Sequence, residues 1–443
     1  TLPTSEELRQ FEARKDPDKR RKVIDELLDR PEYADYWGVM WARLLGVGEW
    51  VKSEAGRSRA HLWLRQHLAQ NTSASRIVRE LLLAEGKLAE NGATALAAAN
   101  PTPEQLAQTV AQAFLGVDLR CARCHKHPEG AWGPDDYRGL AACFSEVSVE
   151  GKGNLVVRIV PGRTLLDPVS GKAVPARAPG EPAFPAAQRD PRRALADWLT
   201  RANNPTLARN LVNRYWAHFY GEGLVEPLDA LHEANPSLHP ALLDALTKDF
   251  LAHGCDVKHL VRVLCQARAY HLGIDSAPPA NASLGAAALF ARRRPVRVTE
   301  EARDRIIAVA CGLEPPTAAK LLSPRYQHGP FALRHHEERA DGLCERYPPT
   351  PRHALMLLGG EEFMRLISHP KGRIARLVQG GASDDQVMDD LFLVTLSRLP
   401  TADERKRVRE HISSQTKAGK PRVEPLRDIL WALLNTKAFY FYP

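Results

Sequence analysis

Apolar residues recur every three or four positions over most of the chain, the spacing that turns one face of an α-helix toward a core. Between Pro3 and Leu28 they fall at Leu8, Phe11, Val23, Ile24, Leu27 and Leu28, and a stripe of Tyr33, Trp37, Trp41 and Leu44 follows within Tyr33 to Leu45. Ile77 to Leu83 continues the pattern. A sharper start comes at Thr102: its hydroxyl suits an N-cap, Pro103 the first helical position, and Gln105 closes a capping box. Leu106, Val110, Ala113 and Phe114 form the buried face, and the helix is expected to stop near Gly116.

From Val147 to Pro191 the texture changes, with Gly and Pro every few residues and an alternating run, Asn154-Leu155-Val156-Val157-Arg158-Ile159-Val160. A period of two predicts a short strand pair, with Asp167-Pro168-Val169-Ser170-Gly171-Lys172 as its turn. Pro175 to Pro185 reads as a linker. Helices then resume through Leu195-Trp198-Leu199 and through Leu211, Tyr215, Trp216 and Phe219, the latter ending at Gly221-Glu222-Gly223. Pro240 to His253 forms another, stopped by Gly254, and Asp256 caps the next, on whose stripe Cys265 is a small core residue. Further helices are expected at Thr299 to Cys311, His353 to Ile367, Asp384 to Leu396, Thr401 to Ile412 and Leu426 to Phe439. The fold class is therefore mainly α: a helical domain over 1–146, a β-hairpin and Pro-rich linker over 147–190, and a helical C-terminal domain over 191–443. No period of roughly 20 to 50 residues repeats, which excludes a solenoid.

Composition narrows the class. The 443 residues are 44% hydrophobic and 26% charged, the mix of a globular protein. No apolar run approaches the roughly 18 residues that cross a bilayer. Thr1 to Glu7 carries no basic and apolar leader, so the compartment has to be read from chemistry. Lysine and arginine outnumber aspartate and glutamate by 61 to 53, a net charge of +8, with both signs interspersed. A nucleic-acid binder gathers its cations on one face beside aromatics. The one basic block, Arg292-Arg293-Arg294, reads as a solvated loop, and no specific nucleic-acid partner is expected. Seven cysteines, an odd number spread over a long chain, do not make a disulfide framework.

Two of them are close together, in Cys121-Ala122-Arg123-Cys124-His125. C-x-x-C-H is the attachment sequence for c-type haem: thiolates three apart reach two vinyl groups, and the adjacent imidazole ligates the iron. His125 would be the proximal ligand, its other nitrogen held by an acceptor, and Arg120, Arg123 and Lys126 could meet propionates. Zinc is the rival, since Cys121, Cys124, His127 and Cys143 supply a Cys3His set, with His125 able to replace His127. A redox dithiol or a structural disulfide uses the same two thiols. Trp132, Tyr137, Leu140 and Phe144 are either haem walls or ordinary core, and Asp135-Asp136-Tyr137 after Gly133-Pro134 reads as a capped helix start. A softer cluster, Asp229, His232, Glu233, Asn235 and His239, lies between Gly223 and Pro240, where a turn and a functional loop look alike. His232-Glu233 does not continue as H-E-x-x-H. His335-His336-Glu337-Glu338 reads as charged surface, and G-x-S-x-G, P-loop and G-x-G-x-x-G patterns are all missing from the sequence.

Phe114-Leu115-Gly116-Val117, Cys121 to Pro128, Trp132, Asp135-Asp136-Tyr137 and Leu140-Ala141-Ala142 together resemble the planctomycete cytochrome-type domain of unknown function, whose pattern runs C-A-R-C-H-x-H-P and then W-x-x-D-D-Y-Y. The second half resembles the C-terminal domain that usually accompanies it, through Asn213-Arg214-Tyr215-Trp216-Ala217-His218, Gly223-Leu224-Val225-Glu226-Pro227, Asp256-Val257-Lys258-His259-Leu260 and Leu433-Leu434-Asn435-Thr436-Lys437-Ala438-Phe439. This chain departs from the pattern at Glu129-Gly130, Arg138 and Cys143. The resemblance implies an exported protein of no established activity.

The leading expectation is an extracytoplasmic, periplasmic c-type haem protein for electron transfer or haem-dependent redox chemistry. Cys121 and Cys124 would be its thioether anchors, His125 its iron ligand, and a redox protein its partner. The alternatives are a structural or interaction protein with zinc or a disulfide at the same cluster, and a hydrolase using the Asp229 to His239 loop.

Overall fold

A computed structural model describes residues 3–128, 130, 132–151, 153–185, 190–272, 296–298, 300–322 and 361–442. Among these the chain is mainly α, with a three-stranded antiparallel sheet and a separate strand pair. The stretch from Pro3 to Leu28 forms two helices, α1 (Ser5–Ala13) and α2 (Lys19–Leu28). Pro17 explains the break, because its ring disfavours helical backbone at Asp16.

Two compact units form, one of Ile24–Leu272 with Ala318–Cys344, the other of Thr1–Val23, Gly273–Thr317 and Glu345–Pro443. The segments 1–146, 147–190 and 191–443 follow composition along the chain. Packing interleaves them, since residues before, within and after the Pro-rich stretch share the larger unit.

In the larger unit α3 (Pro31–Leu44) buries Trp37, Met40, Trp41 and Leu44 against α4 (Glu54–Ala69), which contributes Ala60, Leu64 and Leu68. Gly38 lets the pair close, since a Cβ there would lie 3.1 Å from the His61 ring. The sequence reading passed over α4 because its few apolar positions sit among charges. Next, α5 (Ala74–Leu83) packs on α8 (Pro191–Thr200). Between them in sequence, α6 (Pro103–Val110) has the expected capping box: the Gln105 amide donates to Thr102 Oγ1 at 3.2 Å and the Thr102 amide to Gln105 Oε1 at 3.2 Å. Its continuation, Ala111–Leu115, widens into a π turn ending at Gly116, φ +71°. Helix α7 (Pro134–Ala142) starts where expected, with Asp136 accepting from the Gly133 amide at 2.9 Å.

The sheet runs β1 (Gly86–Lys87), β3 (Val156–Ile159), β2 (Val147–Glu150), with Val147 opposite Ile159 and Glu150 opposite Val156. The strand over 156–159 thus exists, but it pairs upstream with β2 around Gly151, φ +95°. The Asp167–Lys172 turn closes a separate single bridge, Leu166 to Ala173, and Asp167 Oδ1 accepts from the amides of Val169 and Ser170. Three further helices complete the unit: α9 (Thr206–Tyr220), ended by Gly221 in the left-handed region, α10 (Pro240–Ala252) and α11 (Val257–Gln266), capped by Asp256 as expected.

The smaller unit contains α12 (Glu300–Ala310), a short helix Glu361–Ile367, α13 (Arg373–Gln379), α14 (Asp384–Leu396), α15 (Ala402–Lys417) and α16 (Val423–Leu434). Its core is α14, through Val387, Met388, Leu391 and Phe392, against Leu426, Ile429, Leu430 and Leu433 of α16. Asp390 ties α14 to Ser5 Oγ at 2.5 Å and to Arg373 at 2.9 Å. The helix expected over Leu426 to Phe439 breaks after Leu434 and restarts at Lys437. Strands β4 (Val296–Arg297) and β5 (Phe441–Tyr442) pair antiparallel. Residues 353–360, Arg292-Arg293-Arg294 and His335-His336-Glu337-Glu338 lie outside the described residues.

Candidate functional site

The helix end before the cysteine pair is held by a buried polar network on α9. The last carbonyls of a helix lack intrahelical partners. Here Arg214 Nη2 donates to the Gln112 carbonyl and Asn210 Nδ2 to the Ala113 carbonyl, both at 2.7 Å. Arg214 also donates to Asn210 Oδ1 at 3.1 Å and forms an ion pair with Asp229, the two side chains 1% and 4% exposed. Asp229 belongs to the 224–231 loop, which runs beside the chain leaving Gly116. The Asp118 amide donates to the Asp229 carbonyl at 2.8 Å, Leu231 donates to the Gly116 carbonyl at 3.0 Å, and Val117 bridges Ala230. Gly116 is required, because a Cβ there would lie 2.4 Å from Leu231 Cδ1 and 2.8 Å from Asn210 Oδ1.

Beyond this anchor the chain turns sharply. Cys121–Arg123 make one 3-10 turn, with the amides of Cys124 and His125 both 3.3 Å from the Cys121 carbonyl. Cys121, Cys124 and His125 are exposed, and both cysteines carry free thiols. His125 Nδ1 lies 2.7 Å from the Lys126 carbonyl. A carbonyl only accepts, so Nδ1 is the donor in this bond, and Nε2 is the ring nitrogen left for a ligand. Arg120 is not available to a ligand: its guanidinium binds Asp118 through contacts of 2.9 and 2.8 Å. Arg123 and Lys126 are exposed.

The rival metal set is not drawn together. Among the described residues, no three of Cys121, Cys124, His125, His127 and Cys143 bring ligand atoms within 4.8 Å of one another. Cys143 is 1% exposed, and its thiol faces the carbonyls of Gly139 at 3.5 Å and Arg177 at 3.7 Å. Burial pushes that thiol well above the usual range. His127 instead joins Trp132 and His232, the three rings 6.0 to 6.1 Å apart, while the His127 amide donates to the Trp132 carbonyl at 2.8 Å. Leu140 and Phe144 are core at 0% and 1% exposure, and Tyr137 is buried behind them, its hydroxyl pKa raised by desolvation. Trp132 alone of the four wall candidates is half-buried.

The loop from Asp229 to His239 comes alongside the motif, which the sequence did not foretell. Most of its polar groups hold structure. Asp229 pairs with Arg214, Asn235 Nδ2 donates to the carbonyls of Glu226 and Ala230 at 3.1 and 3.0 Å, and Ser237 Oγ to Leu224 at 2.8 Å. His239 precedes the first turn of α10, and Glu233 is exposed. The sequence reading missed Asn210, Asn213 and Arg214 as organisers of this region. Their signal was three polar residues, two of them three and four places after the first, among the core positions Leu207, Leu211, Val212 and Tyr215 of one helix.

The fold and site define a mainly α protein that presents a C-x-x-C-H turn on its surface. Residues 1–149 match the family model PSCyt2, a protein of unknown function (DUF1549), and residues 191–346 match PSD1, a protein of unknown function (DUF1553). These are the two domains, in order, of the planctomycete pairing. No curated protein and no solved structure matches the chain.

Proposed function

We propose that this protein carries a covalently attached c-type haem on the turn Cys121–His125 and exchanges electrons with a redox protein outside the cytoplasm. The observation that carries the reading is the donor set itself: two exposed free thiols on one helical turn, followed by an exposed imidazole whose Nδ1–H is already engaged. These groups fit the cofactor. Cys121 and Cys124 would form its thioethers, His125 Nε2 would ligate its iron, and Arg123 and Lys126 would meet its carboxylates. When bound, the haem supplies one-electron chemistry at a potential set by ligation and exposure. The bond to the Lys126 carbonyl would orient the ring with Nε2 as the ligating atom. Helix α7, which carries the buried Leu140, packs on the turn.

The zinc alternative lacks Cys143, whose thiol is sequestered. The hydrolase alternative lacks Asp229 and Asn235, which are committed to Arg214 and to the turn.

The test is expression in a host with a working cytochrome c assembly pathway, followed by a pyridine haemochrome spectrum and haem staining of denatured protein. Covalent haem is expected in the wild type and lost in Cys121→Ala/Cys124→Ala. His125→Ala should retain the covalent link but lose the low-spin spectrum. A colourless wild-type protein matured in that host would refute the reading.

A further inference from the structure

Away from the cysteine turn, the junction of α10 and α11 gathers a second set of metal-binding groups. We propose that Asp249, His253 and His259 bind a divalent transition-metal ion of the zinc class with three protein ligands, leaving its remaining positions to solvent. One ligand atom from each residue lies within 4.8 Å of the other two. His259 Nε2 is 2.7 Å from Asp249 Oδ2, and His253 Nδ1 is 3.3 Å from Asp249 Oδ1. In a tetrahedral sphere with bonds of about 2.0–2.1 Å, ligand atoms stand about 3.4 Å apart. His253 Nδ1 also bonds the Asp249 carbonyl at 2.9 Å, so ion entry exchanges that bond for a metal bond and unstacks the two rings, because each imidazole ligates in its own plane.

The backbone holds them there. Helix α10 ends at Ala252, and Gly254 (φ +67°) and Cys255 (φ +59°) reverse the chain into α11. The reversal stacks His253 on His259, ring centroids 3.6 Å apart and 16° from parallel. The Cys255 amide bonds the Phe250 carbonyl at 2.9 Å, and its carbonyl accepts from the Ala74 amide at 3.0 Å. Asp256, the N-cap, accepts from the His259 amide at 2.9 Å and from Asn71 Nδ2 at 2.8 Å. Sites supported by helices and a second layer of hydrogen bonds hold ligands more precisely than free loops do.

The donor chemistry selects the ion. Two imidazoles and one carboxylate suit zinc, copper, nickel or iron(II) rather than the all-oxygen preference of calcium and magnesium. The side chains of His253, Asp249 and His259 are 50%, 39% and 21% exposed, so an ion can enter and bind exogenous ligands.

Zinc titration of the full chain by calorimetry, with calcium and magnesium as comparison ions, tests the site. The expected result is one zinc equivalent, absent with calcium or magnesium, that disappears in His253→Ala/His259→Ala. Asp249→Asn should weaken it more than about tenfold, since even outer partners of ligands are worth that much. His411→Ala, removing an exposed histidine paired with Asp428 at 3.1 Å, should leave it intact. Cobalt(II) absorption of the same variants reports ligand loss directly, and far-UV circular dichroism confirms that each is folded. Uptake unchanged in the double histidine variant, or no uptake beyond that variant's level in the wild type, would overturn the proposal. Loss in Cys121→Ala/Cys124→Ala alone would assign the zinc to the other turn and equally overturn it.

Discussion

Removing the Asp229 carboxylate should destabilise the fold out of proportion to its size. Its partner Arg214 is 1% exposed and would be left as a buried cation. Breaking such a pair from one side costs about 3–5 kcal/mol, because desolvation remains after the attraction is lost. Arg214 keeps two acceptors, the Gln112 carbonyl at 2.7 Å and Asn210 Oδ1 at 3.1 Å, so Asp229→Ala belongs at the lower end, about 3 kcal/mol. Removing both charges tests the reasoning more sharply. Arg214→Met/Asp229→Leu has no stranded ion; it orphans the Gln112 carbonyl and Asn210 Oδ1, at about 1 kcal/mol each. The double variant should therefore be more stable than Asp229→Ala, with a favourable coupling of about 2 kcal/mol or more in the cycle. Urea unfolding followed by tryptophan fluorescence and circular dichroism supplies the four free energies. A cost below about 1 kcal/mol for Asp229→Ala, or a double variant as unstable as the sum of its singles, would refute the buried-charge account.

Gly116→Ala should cost more than about 1 kcal/mol, since it combines φ +71° with a Cβ 2.4 Å from Leu231, and urea midpoints measure it. His218 is pushed down to about 4 by desolvation, so the unfolded chain takes up its proton first as pH falls. Stability from this group is complete above about pH 6.5 and is lost toward pH 4, by about 2 kcal/mol for its half-buried ring. His218→Gln should flatten that part of the pH–stability curve; a curve identical to the wild type would count against it. In protein made without haem attachment, Cys121 and Cys124 should alkylate in the native state while Cys143 waits for unfolding. Peptide mass mapping after a maleimide pulse reads this, and equal rates at Cys143 and Cys124 would contradict its burial.

What the sequence disclosed follows from how local each feature is. The Thr102–Gln105 capping box, the stops at Gly116 and Gly221 and the Asp256 cap are each written within four residues, and the structure has them all. The cysteine turn was legible for the same reason, since C-x-x-C-H is contiguous. Pairing partners were not legible. The strand at Val156–Ile159 was foreseen, but β2 lies upstream and the conspicuous Asp167–Lys172 turn closes only one bridge. Strand register depends on which neighbour buries the shared face, and alternation alone does not say. Cys143 illustrates a related limit: spacing alone does not say that its thiol lies 1% exposed against the carbonyls of Gly139 and Arg177, as a small core residue does.

The least visible feature organises the site. Asn210, Asn213 and Arg214 lie in a helix whose apolar residues surround them, so periodicity marks that helix as core and passes over its polar positions. Burial is what gives them a role. Buried donors require acceptors, and the nearest unsatisfied carbonyls are those of Gln112 and Ala113, where the preceding helix ends. The Arg214–Asp229 pair then draws in the 224–231 loop, whose backbone bonds the chain just before Arg120. The exposed cysteine turn is therefore carried by a base tied together by buried hydrogen bonds, and the potential of any cofactor on it should respond to substitutions at Asn210 and Arg214, although neither residue reaches the surface.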